Sequence, residues 1–292
     1  MPSAGLRAVV PPISSEPLPH SLLGGCVDVI TTTDLHELLG TDMMSMSCAV
    51  ANGWQDCPTA DSNPTAGPYT NPAEKVFDRS DWCSFEPITA YAGVECSTFG
   101  ISYEEAQARA LEQLRMGEQR VVEDFYMRRG LAVMALGNDL TPVAGALHIA
   151  SGVGVLENWL ANNFGGQGMI HVPAGAASLL SLNTLVDFAT EESCPTTLLG
   201  NKVILGAGYT ANVGPYTAPL TPGPVAPAGE AWLYITPPVR VRRDAPQLVQ
   251  RSEWQTVNTV INDRRALAES TFVVETSCCI AAAVRVSLDA CC

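Results

Sequence analysis

Between Ser102 and Arg129 the chain reads SYEEAQARALEQLRMGEQRVVEDFYMRR, and this stretch constrains the fold more than any other. Ser102 with Glu105 forms a capping box, in which each side chain serves the other residue's backbone N–H at a helix start. Tyr103, Ala106, Ala110, Leu114, Gly117, Val121 and Phe125 recur at steps of three and four, which predicts one apolar stripe. Glu104, Glu105, Arg109, Glu112, Arg115, Glu118, Arg120 and Glu123 fall on the other face. Glu105 with Arg109 and Glu112 with Arg115 are favourable pairs, each adding about 0.2–0.5 kcal/mol. Arg128 and Arg129 suit the negative end of the helix dipole, and Gly130 is the expected stop. At about 1.5 Å per residue the helix is roughly 40 Å long, which is long for a globular domain.

The 292 residues are 47% hydrophobic, enough for a large core in one big domain or two smaller ones. No apolar run approaches the roughly 18 residues that a membrane helix needs, so no membrane partner is expected. The opening MPSAGLRAVVPPISSEPLPH lacks the basic and apolar regions of a secretion signal. The chain is therefore expected to fold first in a reducing cytosol. A net charge of -14 without a basic block makes it a poor direct binder of nucleic acid. The cations are arginines except for Lys75 and Lys202, which points to ordered contacts where a planar fork meets carboxylates.

Ten cysteines show no C-x-x-C spacing, and His20, His36, His148 and His171 do not cluster with them. Structural zinc is not expected, and most cysteines read as small buried hydrophobes. The chain closes on TFVVETSCCIAAAVRVSLDACC. Adjacent strand residues point to opposite faces, so Cys278 and Cys279 at a strand's start would neither share an ion nor bond to each other. Cys291 and Cys292 sit on a frayed end and are the pair expected to meet a neighbouring chain.

Residues 1–33 are irregular because Pro11, Pro12, Pro17 and Pro19 prevent helix. Asp34 caps a short helix over LHELLG, with Gly40 as its stop. Residues 45–100 read as β, interrupted by DCPTADSNPTAGPYTNP, which cannot be regular. Strands joined by so long a Pro-rich excursion predict an extended hairpin that another molecule covers. Residues 145–237 alternate helix and strand: VGVLENWLANNF, MIHVP, AGAASLLSLNTLV, NKVILGAGY, and AWLYITPPVRVRR bent at Pro237-Pro238. TFVVET and IAAAVRVSL read as closing strands.

Chemistry is hard to find. GAGYTANVG lacks the G-x-G-x-x-G and Lys-Ser/Thr features of phosphate loops, and FGGQGM is a helix stop. His171 in MIHVP and His148 in an apolar setting read as satisfied core histidines. Glu104-Glu105 and Glu191-Glu192 read as a helix start and a solvated turn, so no acid–base pair stands out. The residues alone do not support an enzyme and call for no cofactor.

The element order, and the stretches KVFDRSDWCSFEPITAYAGVECSTFG, RALEQLRMGEQRVVEDFY, GVLENWLANNFGGQGMIHVPAGAASLL, LLGNKVILGAGY, AWLYITPPVRVRR and ALAESTFVVETSC, resemble the HK97-fold major capsid proteins of tailed bacteriophages. The resemblance spans about residues 30–288. It implies an α+β fold with an N-terminal arm (1–33), an extended E-loop β-hairpin (within 34–100) and a P-domain spine helix (101–140). It further implies an α/β A-domain (141–237) and P-domain strands with the C-terminus (238–292). The arm would run along neighbouring subunits, and the loop 210–230 would gather at the capsomer centre. The implied partners are further copies in pentamers and hexamers, and portal, scaffold or decoration proteins. The implied shell encloses DNA without sequence-specific binding, and the implied location is the virion, assembled in the host cytoplasm. Trp82, Lys75, Asn258, Asn262, Cys291 and Cys292 are the candidate inter-subunit residues. Lys75 with Asn258 or Asn262 would suit the Lys–Asn isopeptide bond of some members, though most rely on non-covalent contacts. An encapsulin-type shell, another virion part such as a tail or decoration protein, and a soluble α/β enzyme remain as alternatives.

Overall fold

Ser102 opens the longest helix as its sequence requires: its hydroxyl accepts from the Glu105 N–H at 3.1 Å, and Glu105 returns to the Ser102 N–H at 2.8 Å. This is the computed structural model of the chain, and it describes residues 13, 15–45, 48, 82–97, 101–187, 194–249, 256–258, 260 and 263–289. Helix α2, Tyr103–Phe125, follows three short elements and two strands: β1 (Asp28–Thr31), α1 (Leu35–Leu38), β2 (Thr41–Met44), β3 (Trp82–Phe85) and β4 (Pro87–Ser97). Asp34 caps α1 through the His36 N–H at 2.9 Å, and Gly40 follows it at φ 117°, as expected.

The stripe of α2 departs from expectation in its second half. Ala106, Ala110 and Leu114 are buried, but the series then continues through Glu118, Val122 and Tyr126. Val121 is 43% exposed, and Glu123, assigned to the solvent face, is fully buried. Unbroken steps of four slowly rotate the buried line around a helix of 3.6 residues per turn. The two glutamates tolerate burial because each has fixed partners, described below.

Nor does Gly130 end the helix. The backbone widens into a π-helical segment, Tyr126–Leu131, and closes with α3, Ala132–Met134. The Tyr126 ring occupies the space where a Cβ on residue 130 would sit, so glycine serves ring packing inside the turn.

The stripe lies on a six-stranded sheet organised by β11, Asp263–Thr276. Strand β11 runs antiparallel to β4 from Asp263 opposite Ser97 to Val273 opposite Pro87. Its other side pairs antiparallel with β8 (Val239–Arg243) and β9 (Gln247–Leu248), and with β10 (Val257–Asn258) near its start. Strand β1 adds in parallel to β8. The first half of β11 alternates buried and half-buried, while Phe272–Thr276 is buried throughout, as expected of a strand covered on both faces. Ala106, Ala110 and Leu114 share one core with Ala90, Ala266, Ala268 and Phe272. Small residues let the long helix and two long strands approach closely.

A second sheet has the order β12-β7-β5-β6, formed by Ala282–Ser287, Glu230–Thr236, Met169–Pro173 and Lys202–Gly206. Helix α4 (Ile149–Asn163) covers it through Ile149, Val153, Leu156 and Leu160, which pack with Ile170, Leu233, Ile235 and Val284. The short α5, Ala177–Leu182, adds Leu179 and Leu180 to the same core. Segment 238–292 thus contributes to both sheets, since β12 pairs with β7. His148 is not a core residue: its Nδ1 accepts from the Ala150 N–H at 3.3 Å and caps α4.

Candidate assembly surfaces and the junction behind them

Helix α2, the N-terminal stretch and the end of β6 with the turn after it meet at Glu123. Its Oε1 accepts from the Leu22 N–H at 3.0 Å and its Oε2 from the Gly208 N–H at 2.8 Å. No cation faces it among these partners. Burial therefore pushes its carboxyl up to about 7, with the backbone hydrogen bonds of Gly208, Leu22 and Ala207 opposing the shift. A side chain at residue 208 would strike the α2 backbone at Arg120 and Asp124, so glycine permits the approach. Beside Glu123, His171 links the Tyr209 hydroxyl at 2.8 Å to the Thr236 hydroxyl at 2.9 Å. The rings of Tyr126 and Tyr209 flank it edge-on, at 5.6 and 5.5 Å between centroids. Burial lowers the His171 pKa to about 3, so its imidazole stays neutral. This is the satisfied core histidine that the sequence predicts, and its closed surroundings hold elements together.

Arginines serve as predicted, in planar contacts with carboxylates. Arg243 grips Glu118 with both Nη atoms, at 2.8 and 2.9 Å, tying β8 to α2, and its guanidinium lies 4.8 Å from the Phe272 ring centre. Arg242 reaches Glu275 at 2.7 Å and Glu37 at 2.9 Å, tying α1 to β8 and β11.

The N-terminal stretch folds back on its own chain. Arg115 on α2 holds Glu16 at 2.9 Å, Leu22 is fully buried, and His20 accepts from the Leu205 N–H at 2.7 Å. Residues 15–31 therefore make contacts within the chain, and residues 1–12 and 14 lie outside the described residues.

The cysteines overturn the expectation of simple buried thiols. Among the described residues, Cys26 bonds Cys194, Cys48 bonds Cys278, and Cys83 bonds Cys279; Cys96 is free. The Cα–Cα distances are 5.0, 5.7 and 5.8 Å, within disulfide range. Partners lie 168, 230 and 196 residues apart, so no local spacing could have signalled them. Cys278 and Cys279 do not bond each other, but they sit in the turn after β11 instead of at a strand's start.

Of the candidate contact residues, Trp82 begins β3 and is 66% exposed. Asn258 in β10 accepts from the Val260 N–H at 3.1 Å and lines an open groove of about 500 Å³ beside β4 and β11. Lys75, Asn262, Cys291 and Cys292 lie outside the described residues, as does all of the Pro-rich excursion. Sequence reasoning passed over Tyr91 on β4 and Leu220, both large apolar side chains on the surface. Leu220 tips the loop 210–230, which is braced by Asn212: its amide donates to the Glu230 C=O at 3.0 Å and accepts from the Trp232 N–H at 2.8 Å. Among the described residues no group of three His, Cys, Asp or Glu side chains could hold a metal, and no helix is long and apolar enough to cross a membrane.

No protein-family model matches the chain, and no curated protein matches it. Solved structures do. A chain of "Microbacterium phage Oxtober96" is similar over 97% of this chain and 95% of its own, at 11% identity and TM-score 0.50. The "Cyanophage Pam1 capsid asymmetric unit" covers 100% and 99% at 11% identity and TM-score 0.48. The "Asymmetric unit of bacteriophage PhiM1 mature capsid" covers 96% and 91% at 12% identity and TM-score 0.46. The likeness to the Oxtober96 chain shows a shared fold along nearly the whole length of both. The class is thus a mixed α+β fold of several sheets, shared with a chain of a Microbacterium phage.

Proposed function

We propose that this chain is a major capsid protein that assembles into the pentamers and hexamers of an icosahedral shell enclosing double-stranded DNA. The observation that carries the reading is the near-full-length fold shared with the Oxtober96 phage chain. In this reading α2 and the six-stranded sheet are the spine and body of the P-domain, and the four-stranded sheet with α4 and α5 is the core of the A-domain. Loop 210–230 with Leu220 faces the capsomer centre, and Trp82 belongs to the E-loop that lies over an adjacent subunit. Heterologous contacts of this kind close into rings, and rings of five and six tile a sphere. Each contact is modest because docking carries an ordering cost, so stability is collective. The net charge of -14 agrees with a wall that surrounds DNA without gripping it. Portal, scaffold or decoration proteins of the same virion would be the further partners, and assembly would take place in the host cytoplasm. Electron microscopy of the purified chain tests the proposal: closed shells are expected, and monomers or dimers alone would refute it.

A further inference from the structure

Cys278 and Cys279 are neighbours in one turn, yet each bonds a different leg of one hairpin. Cys48 follows β2, and Cys83 lies within β3. These strands pair antiparallel, with Met43 opposite Cys83, over only four residues each. So short a two-stranded ladder is marginal by itself. The two bonds therefore fix Cys48 and Cys83 to a single dipeptide at the end of β11. The third disulfide, Cys26 to Cys194, does not involve this dipeptide.

We propose that Cys278-Cys279 is a redox clasp for the hairpin, open while its thiols are reduced and closed by a low-molecular-weight disulfide. Access favours Cys279 as the first sulfur to react. It is half-buried and lines a groove of about 690 Å³ with Ser84, Phe85 and Val274. Cys83 and Cys278 are 2% and 1% exposed. The Cys279 thiolate attacks the small disulfide, forms a mixed disulfide and releases one small thiol. The Cys83 thiolate then attacks the Cys279 sulfur and releases the second. Two protein thiols have lost two electrons and two protons, and the small disulfide has become two thiols. Cys48, also half-buried, and Cys278 close the second bond in the same way with a second oxidant molecule. Because each bond joins residues far apart in sequence, closure restricts the conformations open to the chain and ties β2 and β3 to the end of β11. A chain made in a reducing compartment would thus lack these two ties, and the same chain after release would carry them.

The bonds belong to the single chain, and only their consequence for a shell rests on the capsid reading. Wild-type protein, taken either directly from a reducing lysate or after incubation with oxidised glutathione, is unfolded in denaturant, alkylated with iodoacetamide so that buried thiols also react, and mapped by mass spectrometry. The expected result is alkylation of Cys48, Cys83, Cys278 and Cys279 in the first sample. In the second all four are protected, and a fragment holding Cys278-Cys279 is bonded to fragments of both legs. Persistent alkylation of the four after oxidation, or other pairings, would overturn the clasp. A second readout uses Cys26→Ser/Cys194→Ser protein, oxidised and then cut by trypsin between residues 49 and 82. The pieces are expected to stay together on a non-reducing gel and to separate when Cys48→Ser is added. Separation without that change would also overturn it. For assembled particles in the Cys26→Ser/Cys194→Ser background, a reductant is expected to lower the thermal midpoint and to leave it unchanged when Cys278→Ser/Cys279→Ser is added; equal behaviour would remove the proposed role. Normal clasp chemistry without any particles would instead count against the capsid reading.

Discussion

At Glu123 a carboxylate is buried with backbone N–H groups as its named partners, and burial wins over those hydrogen bonds. Its pKa is raised from an ordinary 4.5 to about 7, so the native state holds a proton that the unfolded chain has released. Its contribution to stability is full below pH 4.5 and is lost as pH rises through about 7. The slope is about 1.4 kcal/mol per pH unit while one proton separates the two states. His171 acts in the opposite sense: depressed from 6.5 to about 3, it favours the fold above pH 6.5 and ceases to do so as pH falls through about 3. Between pH 4.5 and 6.5 the two largely cancel. Glu123→Gln should therefore leave His171 unopposed, and denaturant unfolding from pH 4 to 8 should show stability rising with pH across that window. A profile unchanged from wild type would contradict the assignment. At Glu118, removing one side of a nearly buried bidentate pair strands the Arg243 guanidinium. Glu118→Ala should cost about 3 kcal/mol in urea unfolding.

Among the elements, what was legible followed from periodicity and end signals. Ser102 and Glu105 announced the helix start, Asp34 the short helix, and Pro237-Pro238 the break between β7 and β8. Ser102→Ala should lower stability by about 1 kcal/mol, measured as a shift in the denaturant midpoint at constant slope. What escaped depended on partners distant in sequence. Glu118 and Glu123 look solvated because their partners, Arg243, Leu22 and Gly208, come from other elements. Gly130 looks like a stop because the ring that fills its missing Cβ belongs to Tyr126 in the same widened turn. His148 looked buried among apolar neighbours, whereas its backbone position makes it a cap. The disulfides had no local signature at all. The exposed Tyr91 and Leu220 were passed over because a single apolar residue in a strand or loop does not say which face it will occupy.

For the whole molecule, the long helix dictated the architecture. A stripe running from Ala106 to Tyr126 needs long facing strands, and β4 and β11 supply them. The two cores described above draw on the sheets, α2 and α4, and residues 58–72 lie outside the described residues. Deleting them should leave a subunit with a cooperative unfolding transition but without the ability to close normal shells. Wild-type-like particles from that variant would show that the excursion is dispensable for assembly. The central claim is that this fold is an assembly unit, and imaging tests it most directly. Negative-stain electron microscopy of the purified full-length chain should show closed shells of uniform diameter with five- and six-fold capsomers. A homogeneous field of monomers or dimers, under conditions where the chain is folded, would contradict it.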